Sequence, residues 1–433
     1  MQASTTAQSP ASITSSASPS EVTARIHQRA GELEEHLIKT RRYLHAHPEL
    51  SGKEHATSDF IASELDHMGI EYRRVTGPRP YPASDGSTEF IGTGIIATIR
   101  GEAPGAYDDA GTPAHRVALR ADIDALPVGE QTGVQFASQN PGVMHACGHD
   151  CHIAMALTAA HILFDLRAHL KGEVRLLFQP AEEISLGARD LIAAGALEGV
   201  DAIYGTHIWS EVPAGAVSAQ PGTRMASTDW FRVDIEGVSA HGSMPHKGID
   251  AVVVACEIVT ALQVLVSRDT SPFEPVVVTV GEIHGGTARN IMAGSAWFAG
   301  TVRTWDSKTR ENVASRLERI VNKMANAFGA QMKFGYEAGN PSLVNNPACA
   351  QVAADAVTEV LGPEALYQYE GTLAGEDFSE YLQHVPGVFV FLGAKNEELG
   401  AIHPQHSCFY TVDESVLKNG AMVAAQWACD MLS

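Results

Sequence analysis

Side chains that can bind metal ions or move protons occur in five short segments of the 433-residue chain. They are Asp122 with Asp124, Cys147 with His149, Glu182 with Glu183, His207, and His403 with His406. Thiolate and imidazole are ligands typical of zinc and similar divalent cations, and carboxylates also bind them. Together the segments supply Cys, His, Glu and two more His residues, a ligand set that can hold two divalent ions. The sequence therefore indicates a two-metal site.

The segment Met144-His-Ala-Cys-Gly-His-Asp150 carries the strongest signal. If it is extended, Cys147 and His149 point the same way and reach one site. Asp150 is then expected to cap the following helix, and His152 is interpreted as structural. An incidental polar turn is the alternative, but four metal-capable side chains within six positions argue against it. A redox pairing of Cys147 with Cys151 is disfavoured because the spacing is not C-x-x-C.

The Glu182-Glu183 pair directly follows a predicted strand at 174–178. Adjacent carboxylates repel each other unless one binds a cation and the other holds a proton during a reaction. A solvated loop pair is the alternative, and the position after a buried strand disfavours it. Asp122 and Asp124 also follow a strand, where α/β proteins bind ligands, although helix-capping aspartates in a turn would look the same. His207, at another strand end, would more often be structural if considered alone.

These segments require a scaffold of alternating strands and helices. Apolar runs predict strands at 94–99, 117–120, 174–179 and 202–207, with a helix at 150–166. This order predicts an α/β fold whose catalytic domain has a mixed, mainly parallel sheet flanked by helices. From about 223 the pattern changes to β-α-β-β-α-β, which is typical of a ferredoxin-like α+β unit. We therefore predict a catalytic domain at 22–222 and 342–433, an inserted domain at 223–341 and a disordered tail at 1–21.

Composition excludes several classes of partner. With 51 acidic and 30 basic residues, the formal net charge is −21. Nucleic acids and anionic membranes attract basic surfaces, so neither is expected as a partner. No run approaches the ~18 apolar residues of a membrane span, and the N-terminus lacks the basic start and apolar run of a secretory signal. A soluble, cytoplasmic protein is predicted.

The same segments belong to seven longer motifs. In chain order they are RADIDALPV, MHACGHD, FQPAEE, GTHIW, AHGSMPH, GGTARNIMAGSAWFAGTVRT and AGEDFS. They resemble the M20 metallopeptidases, and most closely the amidohydrolase branch that contains aminoacylases, hippurate hydrolases and auxin-conjugate hydrolases. The resemblance covers about residues 24–430. It implies a two-metal catalytic domain and an inserted domain that acts as a lid and often mediates dimerisation.

The resemblance also implies roles for individual residues. The metal ligands would be Cys147, His149, Glu183, His207 and His406, which hold two divalent ions, either zinc or manganese. Glu182 would be the general base, and Asp122, with Asp124, would orient a ligand imidazole. His406 is preferred over His403 because the residues that follow it match the family's last motif. Cys408 departs from that motif, in which a proline is usual.

Further roles are implied in the inserted domain. His241 would polarise the substrate after lid closure or from a partner subunit, and His246 is a weaker candidate. Asn290 and Arg303 would bind the substrate's carboxylate, since an arginine fork can bond two oxygens. Gly375 would line the pocket through its backbone. His45 and His47, in the N-terminal segment, are interpreted as structural.

The resemblance implies hydrolysis of the amide bond of N-acyl or N-aroyl amino acids. It also implies a homodimer or a higher homo-oligomer, because the inserted domain of the family often mediates dimerisation. A carboxypeptidase or dipeptidase on the same scaffold is a second hypothesis. A non-catalytic binding protein is a third, disfavoured because Glu182 and the ligand set are intact. For an enzyme of this kind, metals would lower the pKa of a water from about 15.7 toward ~7 and polarise the carbonyl.

Overall fold

The structure is a computed structural model that describes residues 19–78, 80–82 and 88–433. Most of the predicted tail, residues 1–18, lies outside the described residues. The first helix begins at Pro19, so residues 19–21 are helical rather than part of a tail. Proline is well suited to a first helical turn, and an acidic residue there, Glu21, interacts favourably with the helix dipole.

The chain up to the inserted unit contains four helices and nine strands in its described part. They are α1 (Pro19–Ala46), α2 (His55–Met68), β1 (Glu71–Val75), β2 (Pro80–Pro82), β3 (Thr88–Phe90), β4 (Gly94–Arg100), β5 (Arg116–Asp122), α3 (His149–Asp165), β6 (Glu173–Gln179), α4 (Gly187–Ala193), β7 (Ala202–Pro213), β8 (Val217–Ser218) and β9 (Gly222–Met225).

The remaining elements form the inserted unit and the C-terminal part. They are β10 (Asp229–Glu236), β11 (Ala240–His241), α5 (Ala251–Ser267), β12 (Val276–Gly285), β13 (Ile291–Met292), β14 (Ser295–Thr304), α6 (Ser307–Ala327), β15 (Gln331–Ala338), β16 (Leu343–Asn345), α7 (Pro347–Leu361), α8 (Phe378–Tyr381), β17 (Gly387–Lys395) and α9 (Leu417–Met431).

A seven-stranded sheet forms the centre of the larger part, in the order β1-β4-β6-β5-β7-β17-β8. Its four central strands, β6, β5, β7 and β17, run parallel, and the outer strands pair antiparallel. β5 and β17 are buried along almost their whole length, because helices cover both faces of the sheet. The predicted α/β class, with a mixed, mainly parallel sheet flanked by helices, is confirmed.

The inserted unit has a separate four-stranded antiparallel sheet in the order β12-β14-β10-β15, with α5 and α6 packed on one face. This arrangement has the predicted β-α-β-β-α-β order. Its buried apolar residues, which include Phe231, Ile258 and Phe298, form a core distinct from those of the larger part. The domain boundaries at 222 and 342 and the lid role stay predictions.

Parallel strands bring the candidate residues to one edge of the sheet. β5 ends at Asp122, which is in register with Gln179 at the end of β6. His207 lies within the neighbouring strand β7. Because the carboxyl ends of parallel strands meet at one edge, segments distant in sequence converge there. None of the helices in the described part of the chain has the length and apolar character needed to cross a bilayer.

Candidate metal centre

Cys147 and His149 converge through a turn rather than an extended segment. Gly148, between them, has a left-handed backbone with φ of 89°, and α3 begins at His149. A Cβ at position 148 would lie 2.5 Å from a methyl of Ile208, so the site requires glycine. The expectation of an extended segment was wrong. The ligand atoms of Cys147, His149 and His207 nevertheless lie within 4.8 Å of one another.

Hydrogen bonds set the tautomers of both histidines. The Nδ1 of His149 lies 2.9 Å from the Asp124 carbonyl oxygen and 3.2 Å from its Oδ1, so Nδ1 donates its proton there. The Nδ1 of His207 likewise donates to the Ile208 carbonyl at 2.7 Å. Each ring therefore presents the lone pair of Nε2 to the centre. The Nε2 of His207 lies 3.5 Å from the Cys147 sulfur.

Glu183 and His406 complete the cluster. Glu183 Oε2 lies 3.5 Å from His406 Nε2, and Oε1 lies 3.8 Å from His149 Nε2. His406 has a left-handed backbone with φ of 66°, and its amide donates to the Ala146 carbonyl at 2.7 Å. His403 instead stacks near Phe409 beside a separate cavity. The geometry therefore favours His406 over His403.

His152 is excluded as a ligand by its own hydrogen bonds. Its Nε2 accepts a hydrogen bond from the Ile208 amide at 2.9 Å, so Nδ1 carries the proton and donates it to Asp122 at 2.5 Å. No lone pair is left for a cation, in agreement with the structural interpretation of His152. Asp122 therefore orients the imidazole of His152, and Asp124 orients that of the ligand candidate His149.

Asp150 does not cap α3, contrary to expectation. Its buried carboxylate forms an ion pair with Arg41 at 2.8 Å and accepts a hydrogen bond from Nδ1 of His45 at 2.8 Å, because both of these side chains project from α1 onto the start of α3. Burial disfavours ionisation of Asp150, but the Arg41 charge and His45 outweigh it and hold its pKa well below the usual range. These contacts agree with a structural role for His45, and His47 donates from Nδ1 to the Tyr43 carbonyl at 2.7 Å and contacts the Tyr43 ring.

A buried arginine network lies beneath the cluster. Arg120 contacts Asp122 at 2.7 Å, Glu376 at 2.8 Å and Asp377 at 2.9 Å. Three carboxylates thus share one guanidinium, whose charge offsets part of their repulsion. Sequence reasoning did not single out Glu376 or Asp377, although both belong to the AGEDFS motif.

Glu182 sits between this network and the cavity. Burial raises its pKa well above the usual range, and the charges of Glu376 and Glu183 raise the pKa further. Its Oε1 accepts the Asp377 amide at 3.4 Å. A carboxyl group in this setting can take up a proton readily, as a general base requires.

A further buried acid, Glu54, supports the loop that carries both glutamates. It accepts the amide of Ala181 at 2.9 Å and the hydroxyl of Thr93 at 2.6 Å. Ala181 itself has a left-handed backbone with φ of 54°, which is costly for a residue with a Cβ. These bonds therefore hold a strained turn in place. Glu54 lies 128 residues before Glu182, and no sequence pattern indicated its role.

A cavity of about 410 Å³ opens above the cluster. Cys147, Glu182, Glu183, His207 and His406 reach it, together with Trp209, Met225, Thr228, Trp230, Arg303, Asn340, Gly375 and Glu376. At Gly375 a Cβ would lie 2.0 Å from the Thr228 hydroxyl, so only glycine leaves this wall open. Two of the predicted substrate-binding residues, Arg303 and Gly375, thus line the cavity.

His241 and Asn290 do not line this cavity. Both are exposed: His241 ends β11, and Asn290 directly precedes its partner strand β13, where the Gly242 amide donates to the Asn290 carbonyl at 2.9 Å. The Ser243 amide donates to Nδ1 of His241 at 3.2 Å, so the proton of the neutral ring is on Nε2. His246 is exposed in the same loop.

The donor set fits divalent cations. His149 Nε2 and Glu183 Oε1 are buried and have no hydrogen-bond partner, and these are ligand atoms of the predicted set. Burial raises the pKa of the Cys147 thiol well above its usual range, and the charges of Glu183 and Glu182 raise it further. A bound cation compensates such a cluster, because it satisfies the lone pairs and stabilises the thiolate.

This chain is similar to known proteins over most of its length. Residues 118–430 match the model of peptidase family M20/M25/M40. The chain is 41% identical over 316 residues to an N-acyl-L-amino acid amidohydrolase of Geobacillus stearothermophilus, covering 72% of this chain and 79% of that one. It is 39% identical to thermostable carboxypeptidase 2 of Saccharolobus solfataricus, covering 91% and 95%. 

A solved structure is similar over nearly the whole chain. It is a dinuclear metal-binding peptidase of the M20 family from Bacillus subtilis, 34% identical, with a TM-score of 0.77 and coverage of 93% of this chain and 99% of that one. The chain therefore belongs to peptidase family M20/M25/M40. The predicted family is confirmed, and with it the class of enzyme, a hydrolase of amide bonds.

Proposed function

We propose that this protein hydrolyses the amide bond of N-acyl amino acids with two divalent cations, zinc or manganese. The residues that would hold them are Cys147, His149, Glu183, His207 and His406. When bound, the cations supply an acidified water and polarise the scissile carbonyl. The observation that carries this proposal is the convergence of these ligand atoms beside a buried glutamate, Glu182, on the wall of one cavity.

Glu182 is the proton carrier in this proposal. It takes a proton from the attacking water and gives it to the nitrogen of the departing amine. Its raised pKa favours the uptake step, because burial and the nearby Glu376 destabilise its charged form. Arg120 limits this effect by neutralising part of the charge of Glu376. The carboxyl group thus remains able to exchange protons in both directions.

The cavity wall supports recognition of an N-acyl amino acid. Arg303 is partly buried there, and the one hydrogen bond of its side chain within the described residues goes to the Val302 carbonyl at 3.2 Å. An arginine without a carboxylate partner, facing a cavity, is suited to a substrate carboxylate. Trp209, Met225 and Trp230 offer an apolar surface for the acyl group.

His241 would act from a second subunit. Its Nε2–H can donate to a developing oxyanion, but in one chain the residue is exposed and does not line the cavity. The inserted unit also exposes apolar side chains on α5 and the edge strand β12, including Val253, Val264 and Ile283. We infer that two chains pair through this face, as a homodimer in which each completes the other's site. The cytoplasmic location stays a prediction.

A carboxypeptidase is the second candidate, favoured by the likeness to thermostable carboxypeptidase 2. Both reactions cleave an amide next to a carboxylate, so the described site serves either. Their substrates differ on the acyl side, where a peptide adds a charged amine. Comparing kcat/KM for N-acetyl amino acids, N-benzoyl amino acids and free dipeptides separates the two activities.

The decisive experiment is the variant Glu182→Gln, which keeps shape and removes the proton-carrying group. Turnover of N-acyl amino acids should fall while the metal content per chain is unchanged. Glu398→Gln, an exposed glutamate away from the cavity, is the matched control and should keep full activity. A non-catalytic binding protein would show no metal-dependent turnover in either form, and full activity in Glu182→Gln would refute the assignment of the base.

A further inference from the structure

A second group of metal-binding side chains lies on the helical face of the larger part. His36 projects from α1, Glu64 from α2 and His161 from α3, and one ligand atom from each lies within 4.8 Å of the others. His36 Nε2 is 2.9 Å from Glu64 Oε2, and the two imidazole rings meet edge to face with centroids 5.9 Å apart. Each of the three helices thus contributes one side chain that can bind a metal ion, and the three side chains meet at one place.

This group is separate from the candidate metal centre. His161 and His149 both lie on α3, twelve residues apart (161 minus 149). At a rise of ~1.5 Å per residue this is about 18 Å along the helix axis. No residue is shared between the two groups, so occupation of one leaves the ligands of the other in place.

The chemistry of the group suits a zinc-like cation. Two imidazoles and one carboxylate form a known three-ligand set for zinc, in which a fourth position stays open. In tetrahedral zinc sites, ligands at ~2.1 Å lie about 3.4 Å apart, so the three atoms need only small side-chain rotations. His67 is a further ligand within reach, since its Nδ1 lies 3.8 Å from Glu64 Oε1 and its side chain is exposed.

His161 distinguishes this group from an ordinary ion pair at the surface. Its ring is half-buried, and within the described residues it has no hydrogen bond or ion pair, only the ring contact with His36. Arg29 of α1 is already paired with Asp165 at 2.7 Å and with Glu32.

We propose that His36, Glu64 and His161 form a second site for a zinc-like divalent cation, which cross-links helices α1, α2 and α3. The His36–Glu64 pair alone, in which His36 is exposed to solvent, contributes little stability. A cation bound to all three helices binds the folded state and not the unfolded one, so it stabilises the fold. This role is independent of the proposed catalysis.

The test compares the full chain with the variant His36→Ala/His161→Ala. Both are stripped with a chelator, refilled with zinc, passed through a desalting column and analysed for zinc per chain. The variant should hold about one zinc fewer, whatever the number at the catalytic centre, and its zinc-dependent rise in melting temperature should shrink. His27→Ala, which removes an exposed imidazole from the same helix, should match the wild type.

The melting temperature without metal and the zinc content are both compared between wild type and variant. The metal-free melting temperatures of wild type and variant should agree, because His36 is exposed, His161 is only half-buried, and neither belongs to the apolar cores. Equal zinc contents in wild type and variant, or an equal loss in His27→Ala, would overturn the proposal. Loss of catalytic activity with unchanged zinc content would also count against it, since it would place these histidines outside any metal site.

Discussion

Replacing Arg303 with methionine tests how the cavity recognises its substrate. Methionine keeps much of the apolar stem and removes the guanidinium. Arg303 is partly buried and has no carboxylate partner among the described residues, so a bound carboxylate would be its ion-pair partner. Hydrogen bonds to charged groups contribute about 1.5–3 kcal/mol each. For a bidentate ion pair in a partly solvated cavity, we expect the substitution to remove about 2–4 kcal/mol of transition-state stabilisation. This corresponds to roughly a 30- to 1,000-fold loss in kcat/KM.

The assay pairs the variant with a changed substrate. Wild type and Arg303→Met are measured on an N-acetyl amino acid and on its C-terminal carboxamide, which lacks the negative charge. Wild type should lose activity on the carboxamide, whereas Arg303→Met should treat the two substrates nearly alike. This cycle isolates the interaction between Arg303 and the carboxylate from other effects of the substitution.

Arg232→Met provides the control. Arg232 lies on β10 of the same inserted sheet, but it is exposed and pairs with Asp234 at 2.8 Å. Its removal should leave the preference for the carboxylate substrate intact. If Arg303→Met loses the same factor on both substrates, the arginine supports the fold of the cavity wall and does not bind the carboxylate.

Four other outcomes follow from the site and its surroundings. Glu182→Gln should lower kcat by roughly 10²- to 10⁴-fold at unchanged metal content, measured by turnover and elemental analysis. Mixing inactive Glu182→Gln and His241→Ala chains should restore about a quarter of wild-type activity. The reason is that about half of the dimers are mixed, and each mixed dimer holds one complete site out of two. If no activity is recovered, His241 does not act in the partner's site. Asp124→Asn should weaken metal binding about 10- to 100-fold, as His149 loses its orienting carboxylate. Burial disfavours ionisation of Glu130, but hydrogen bonds from His45, the Ser138 amide and Thr132 outweigh it and lower its pKa to about 2. The ionised Glu130 therefore stabilises the fold above the usual pKa of 4.5, and this contribution is lost as the pH falls toward 2. Glu130→Gln should lower the free energy of unfolding by about 1–2 kcal/mol at neutral pH and should make it less dependent on pH between 4.5 and 2. Equal acid sensitivity of wild type and variant would contradict this.

The sequence alone was sufficient for the regular elements that are buried or strongly periodic. The strand predicted at 94–99 is β4 within one residue, and the helix predicted at 150–166 is α3 within one residue at each end. Such elements follow from hydrophobic periodicity, which is local information. The short strands β8, β9, β11, β13 and β16 were missed, because segments of two to four residues have too few positions to show a period.

The sequence also indicated the ligand types and, through its motifs, the family. What the tertiary structure decided was the set of partners that each ligand meets. Asp124 rather than Asp122 orients His149, and Asp150 pairs with α1 instead of capping α3. Glu54, far away in the chain, stabilises the turn that carries Glu182. Such pairings depend on which strand ends and helix faces become neighbours, and the energy of a buried carboxylate is decided by those neighbours rather than by adjacent residues.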